Sequence, residues 1–195
     1  MTPIHKKGFT LIELLVVIAI IGVLASIVLA SLDSSRKKGR DAKRLSDVKQ
    51  LQLALELYYD NNNAFPVGGG SNAVSATNDG YCLTSAQLET PGYISKIPTD
   101  PISGTCYTYV PYGPASCTAG SCSVCVGYHL GTTLETVGHN QLSQDVDLQP
   151  NSTTYPICTA TGAPASGDFN GLSKGANCLG ATGNSSTETC YDVRP

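Results

Sequence analysis

From Leu14 to Ala30 the chain reads LLVVIAIIGVLASIVLA, seventeen residues without a charge. Phe9 to Glu13 before it and Ser31–Leu32 after it extend the apolar stretch to 24 residues. A helix needs about 20 to cross the hydrocarbon core of a bilayer. Past Leu32 the pattern changes rather than stops. Leu45, Val48, Leu51, Leu55 and Tyr58 recur at steps of three and four, the stripe of an amphipathic helix. Leu53 and Leu57 are expected to widen that stripe. No proline interrupts residues 4–65, and Asn61-Asn62-Asn63 followed by Pro66 supply a stop. The pattern predicts one helix from about residue 9 to 61, roughly 80 Å long at 1.5 Å per residue. Its first half is apolar all round, and its second half has one face to lay on a sheet.

Beyond the helix, residues 66–80 (PVGGGSNAVSATNDG) read as a loop. Pro98-Thr99-Asp100-Pro101 reads as a turn, because neither proline can donate a hydrogen bond and each fixes φ. Residues 106–110 (CYTYV) alternate as a strand. So do residues 123–130 (SVCVGYHL), with Val124, Val126, Tyr128 and Leu130 expected on one face. The two are expected to pair as an antiparallel hairpin around a loop at 113–122. Residues 150–190 are mostly Gly, Ser, Thr, Ala, Asn and Pro. Cys190-Tyr191-Asp192-Val193 adds a short strand or clips the end down. The expected class is α+β: a long N-terminal helix on a small antiparallel sheet, with a disulfide-tied, loop-rich C-terminal region.

Charge and cysteine then narrow the possibilities. Residues 1–50 carry a balance of +5 and residues 51–195 one of −8. The acidic part lacks the clustered cations that nucleic acid requires. The basic cluster Arg36, Lys37, Lys38, Arg40, Lys43 and Arg44 is instead placed to meet lipid headgroups or acidic patches on neighbouring subunits. The eight cysteines are Cys82, Cys106, Cys117, Cys122, Cys125, Cys158, Cys178 and Cys190. An even number in a loop-rich region points to disulfides and an oxidising compartment. Cys82–Cys106 is the favoured pair, because each adjoins a tyrosine in a strand-like stretch. The competing reading is zinc on Cys122, Cys125 and His129, but no second C-x-x-C or H-x-x-x-H follows. No nucleophile elbow or phosphate-binding glycine loop is present, which argues against an enzyme. Asn151 and Asn184 open N-x-S/T sequons.

Glu13 decides among three readings of the apolar segment. A secretory signal peptide cut at Val28-Leu29-Ala30 would leave Ser31 first, but the run is long and holds an acid. A plain signal anchor explains the length and not the acid, since an unpartnered carboxylate in lipid costs a few kcal/mol. A cut after Gly8 would free the Phe9 amine four residues from Glu13, one turn away on the same face. Lys6-Lys7-Gly8 followed by Phe9-Thr10-Leu11-Ile12-Glu13-Leu14 and a long apolar helix resembles the class III signal of type IV prepilins and type II secretion pseudopilins. The Pro-x-Asp-Pro region, with Tyr58-Tyr59-Asp60-Asn61-Asn62 and Phe65-Pro66 before it, resembles the head of the major, G-type pseudopilins.

The resemblance implies cleavage between Gly8 and Phe9 by a prepilin peptidase, N-methylation of Phe9, and pairing of Glu13 with a neighbour's amino terminus. It divides the chain into a leader (1–8), a transmembrane and filament-core helix (9–32), its amphipathic continuation (33–62) and a head (63–195). Implied partners are other copies of the chain in a helical homopolymer, an inner-membrane assembly platform, minor pilins or pseudopilins, and lipid. G-type heads also hold calcium in a loop after the strands, which makes Asp145 and Asp147 candidate ligands here. The expected function is a subunit of a type IV pilus-like filament. The alternatives are a major pseudopilin driving protein export, or a membrane-tethered binding domain. The expected location is the inner membrane with the head outside the cytoplasm, then a periplasmic or extracellular filament. The positive-inside rule opposes this, with two lysines before the segment and six Lys/Arg within twelve residues after it.

Overall fold

The computed structural model describes residues 10–68, 82–114, 122, 124–136, 139–143, 158 and 190–195. Helix α1 (Leu11–Asn62) is followed by the short helix α2 (Ser85–Leu88). Strands β1 (Thr108–Tyr112), β2 (Gly127–Thr133) and β3 (Cys190–Val193) come next, with a 3-10 turn at Asn140–Ser143 between β2 and β3. The chain divides into two compact units, Met1–Gly39 and Arg40–Pro195.

In the first unit α1 presents Leu11, Ile12, Leu14, Leu15, Ile18, Ile21, Leu24 and Ile27 to its surroundings, all more than half exposed. It is long and apolar enough to cross a membrane. Such a helix, greasy on every side, needs lipid or other helices around it.

In the second unit the stripe does its packing. Val48, Leu51, Ala54 and Leu55 are buried, and Leu45 and Tyr58 pack at the margin. Leu53 and Leu57 do not widen the stripe: they are 64% and 41% exposed. The helix stops where its asparagines take over its carbonyls. The Asn61 and Asn62 side-chain amides donate to the Leu57 and Tyr58 carbonyls. Asn63 adopts φ 52° and its N–H donates to the Tyr59 carbonyl at 2.7 Å, a left-handed C-terminal cap.

The segment leaving α1 is held on several sides. Phe65 N–H donates to the Cys125 carbonyl (2.9 Å) and Gly68 N–H to the Cys158 carbonyl (3.1 Å). The Tyr109 hydroxyl donates to the Pro66 carbonyl (2.8 Å). The Phe65 ring stacks on Tyr59 and meets Tyr128 edge-on.

The sheet is antiparallel in the order β1-β2-β3, with Tyr109 opposite Leu130 and Leu130 opposite Val193. One face carries Tyr109, Tyr128, Leu130 and Tyr191 into the core with Val48, Leu51 and Leu55 of α1. Val110, His129, Cys190 and Asp192 have the opposite parity, and they are buried as well. On that face His129 Nε2 and Asp192 Oδ2 form a buried hydrogen bond joining β2 to β3.

The strands start later than the alternation predicts, at 108 and 127 instead of 106 and 123. Val124 and Val126 are about half exposed, not core. Cys125 and Tyr128 both point into the core, so parity shifts between them. Val126 N–H donates to the Tyr112 carbonyl although Tyr112 lies opposite Gly127, the two-against-one count of a β-bulge. Glycine makes room there for the Tyr112 ring, which a Cβ on residue 127 would displace.

Candidate functional site

The N-terminal segment is the first part of the site. Gly8 and Phe9 lie outside the described residues. Glu13 is the third residue of α1, and Thr10 precedes the helix. Glu13 Oε2 accepts from the Thr10 N–H (2.9 Å) and from the Thr10 hydroxyl (2.7 Å), and Glu13 N–H donates to Thr10 Oγ1 (3.3 Å). This reciprocal pattern is a capping box. It gives the acid partners within its own chain and satisfies backbone donors at a helix end that would otherwise enter lipid bare. The T-x-x-E spacing of Thr10 and Glu13 in the sequence is the signal for this box, in addition to the amine that a cut after Gly8 would offer.

The second part is an ionic clamp in the head. Arg44 is buried. Its Nε donates to Asp100 (2.6 Å), and its terminal nitrogen donates to Asp41 (2.9 Å) and Glu135 (2.8 Å). Arg40 grips Glu135 with two parallel bonds of 2.7 and 2.6 Å. Asp41 in turn accepts the Glu135 and Thr136 N–H groups at 2.8 and 2.9 Å. Asp47 accepts from Lys43 (2.6 Å) and from the buried Tyr107 hydroxyl (2.7 Å).

The clamp explains the Pro-x-Asp-Pro turn. One Asp100 oxygen holds Arg44, and the other accepts the N–H groups of Ile102 (2.8 Å) and Ser103 (2.9 Å). Gly104 closes the turn at φ +67°, with its N–H on the Asp100 carbonyl (3.0 Å). Burial raises the Asp100 carboxyl, but the Arg44 hydrogen bond and the turn's N–H donors outweigh it and hold it at about 2. The hydrogen bond from Arg40 leads in lowering Glu135 to about 2, with Arg44 adding to it. Burial and the bond to Asp47 raise the Tyr107 hydroxyl.

These contacts revise the reading of the basic cluster. Arg40 and Arg44 meet acids of their own chain, not headgroups or neighbours. Lys37 lies 3.3 Å from Asp33 one turn back on α1.

The cysteines divide into groups. Cys82 and Cys106 form a disulfide with Cα atoms 5.6 Å apart, pinning the start of the α2 region to the approach of β1. Cys190 is also disulfide-bonded. Cys122, Cys125 and Cys158 are buried together in the core as thiols. Among the described residues no group of three His, Cys, Asp or Glu is arranged to hold a metal, and His129 is not brought to Cys122 and Cys125. His129 occupies the other face of β2, bonded to Asp192. The candidate calcium ligands Asp145 and Asp147, the remaining candidate disulfide positions Cys117 and Cys178, and the sequons at Asn151 and Asn184 lie outside the described residues.

Comparison with known proteins bears on the first part. The model for the prokaryotic N-terminal methylation motif matches residues 4–29. The type II secretion system core protein G of Pseudomonas aeruginosa is 32% identical over 110 residues, 56% of this chain and 76% of that protein. This chain belongs to the core protein G family, the major pseudopilins. The Escherichia coli K12 member is 38% identical over 98 residues, 49% of this chain and 66% of its own length. The Pectobacterium carotovorum member is 35% identical over 97 residues, 50% and 62% respectively. The pseudopilin thus spans just under two thirds of the length of these last two relatives, and about half of it is matched. No solved structure matches it.

Proposed function

We propose that this pseudopilin is the main repeating subunit of a filament that drives protein export through a type II secretion system. The observation that carries this reading is the conjunction of the methylation motif at residues 4–29 with the identity to core protein G. Of the two filament readings, the names of the relatives favour export over a surface pilus.

In this reading a prepilin peptidase cuts between Gly8 and Phe9, and Phe9 is N-methylated. Residues 9–32 hold the subunit in the inner membrane with its head outside the cytoplasm. An assembly platform then moves the subunit into a bundle of like helices, together with minor pseudopilins. Exchange of lipid for other helices is possible because both surroundings are apolar. Thr10 survives the cut, so the capping box persists while the Phe9 amine becomes available to Glu13 of the same or the next subunit. The subunit's work is structural: no step needs a catalytic group.

The test joins processing to assembly. Mass spectrometry of the mature chain is expected to find a methylated Phe9 at the N-terminus. Glu13→Ala is expected to lower both assembled filament and exported protein while leaving cleavage intact. A mature chain starting at Ser31, or normal filament yield from Glu13→Ala, overturns the proposal.

A further inference from the structure

Cys122, Cys125 and Cys158 meet where three stretches of chain converge. All three are fully buried in the core. The Cys158 thiol is hydrogen-bonded to those of both Cys125 and Cys122. Their backbones are fixed independently. Cys125 accepts the Phe65 N–H, while Cys158 accepts the Gly68 N–H and donates its own to the Pro111 carbonyl at 2.9 Å. Residues Phe65–Gly68 are thus bonded to the backbones of both cysteines, whose thiols lie within hydrogen-bonding reach of each other in the core.

We infer that Cys125 and Cys158 are a cross-linking site, joined in the mature protein by a disulfide that ties the chain at residue 158 to the entry of β2. The reaction removes two S–H hydrogens and forms one S–S bond. Its two protons and two electrons pass to a disulfide of the surroundings, either glutathione disulfide or the disulfide of a thiol oxidase, which becomes two thiols. One thiolate attacks that oxidant, and the second then displaces it from the mixed disulfide. In the closed core the bond to Cys125 and burial hold Cys158 in its thiol form. Cross-linking therefore belongs to folding, before the core shuts, and is durable afterwards. Cys125 is preferred over Cys122 because both its backbone and its thiol are engaged with the Phe65–Gly68 and Cys158 assembly. The loop so closed is 33 residues, long enough for the bond to restrict the unfolded chain substantially.

The availability of an oxidant rests on the export reading above, whereas the geometry does not. The full-length chain is isolated in detergent without reductant, its thiols are blocked under denaturation, and disulfides are mapped by tandem mass spectrometry. No Lys or Arg lies between Lys96 and Lys174, so trypsin cannot separate these cysteines. Chymotrypsin can, cutting after Tyr112, Tyr128 and Phe169. The expected result is a Cys125–Cys158 linked peptide, retained in Cys122→Ser and absent from Cys158→Ser. Blocked thiols at both positions beside an intact Cys82–Cys106 bond overturn the cross-link and leave the export reading untouched. A Cys122–Cys125 or Cys122–Cys158 bond, or stoichiometric zinc in the isolated protein, also overturns it. A chain isolated with every cysteine reduced, which then forms Cys125–Cys158 with glutathione disulfide, supports the cross-link and counts against the export reading.

Discussion

Replacing Arg44 by methionine keeps most of the stem's bulk and deletes the charge that three acids share. The structure sets the size of the loss. Asp41 keeps the N–H groups of Glu135 and Thr136, Asp100 keeps those of Ile102 and Ser103, and Glu135 keeps the Arg40 fork. No carboxylate is stripped bare. The cost therefore falls at the low end of the range for breaking a buried pair, about 3 kcal/mol. For a unit the size of Arg40–Pro195, that is a fall of about 6–12 °C in Tm. Near-UV circular dichroism in detergent reads it directly, since the protein has ten tyrosines and no tryptophan.

A pH series tests the cause. Asp100 and Glu135 are both depressed to about 2 in the folded state, so their ion pairs contribute fully above their unfolded values near 4 and are lost as pH falls through 2. Wild type is expected to lose stability over that window, and the gap to Arg44→Met is expected to close. A gap below about 2 °C at pH 7, or one unchanged at pH 2, refutes the clamp.

Four further outcomes follow from single positions. Leu55→Ala should cost about 2–5 kcal/mol and Leu53→Ala within about 0.5, measured by the same melts, because only Leu55 faces the core. Gly104→Ala should cost about 1–2 kcal/mol from its left-handed backbone alone, since nothing lies within 4 Å of the added methyl. Gly39→Ala, also with nothing within 4 Å but inside α1, should stabilise the helix by up to about 1 kcal/mol. Reducing Cys82–Cys106, or replacing both by serine, should cost roughly 3 kcal/mol in thermal melts for a bridge across 24 residues.

The helix was legible because its signals are local. Leu45, Val48, Leu51 and Leu55 sit at helical steps, and the asparagines at 61–63 announce its end. Leu53 and Leu57 lie off that stripe. Each lies two residues from a core leucine, which is about 200° around the helix. Strand alternation was harder to use, because a bulge at Val126–Gly127 reverses parity without leaving a mark in the hydrophobic pattern. The clamp could not be read at all. Arg44 lies 56 residues from Asp100 and 91 from Glu135, and composition does not say which of fifteen acids a given arginine will meet.

Long-range pairing also bears on topology. Counting Lys and Arg after the apolar run treats every cation as free to interact with the membrane or the translocation machinery. Arg44 is buried and Arg40 is held by Glu135, both within the head unit, and Lys43 lies 2.6 Å from Asp47. In the folded head these three cations are engaged with acids of the same chain, which leaves Arg36, Lys37 and Lys38 nearest the apolar segment. If topology is set before the head folds, all six count. If it is set by the charges nearest the segment, Lys6 and Lys7 oppose only the inner three, of which Lys37 lies beside Asp33. Neutralising Arg36, Lys37 and Lys38 together should then strengthen export of the head, read by a periplasmic reporter fused after Pro195. Neutralising Arg40 and Arg44 should instead lower the yield of folded head with no change in its side of the membrane. Equal effects of the two sets on orientation would mean that engagement in the fold does not remove a cation from the count.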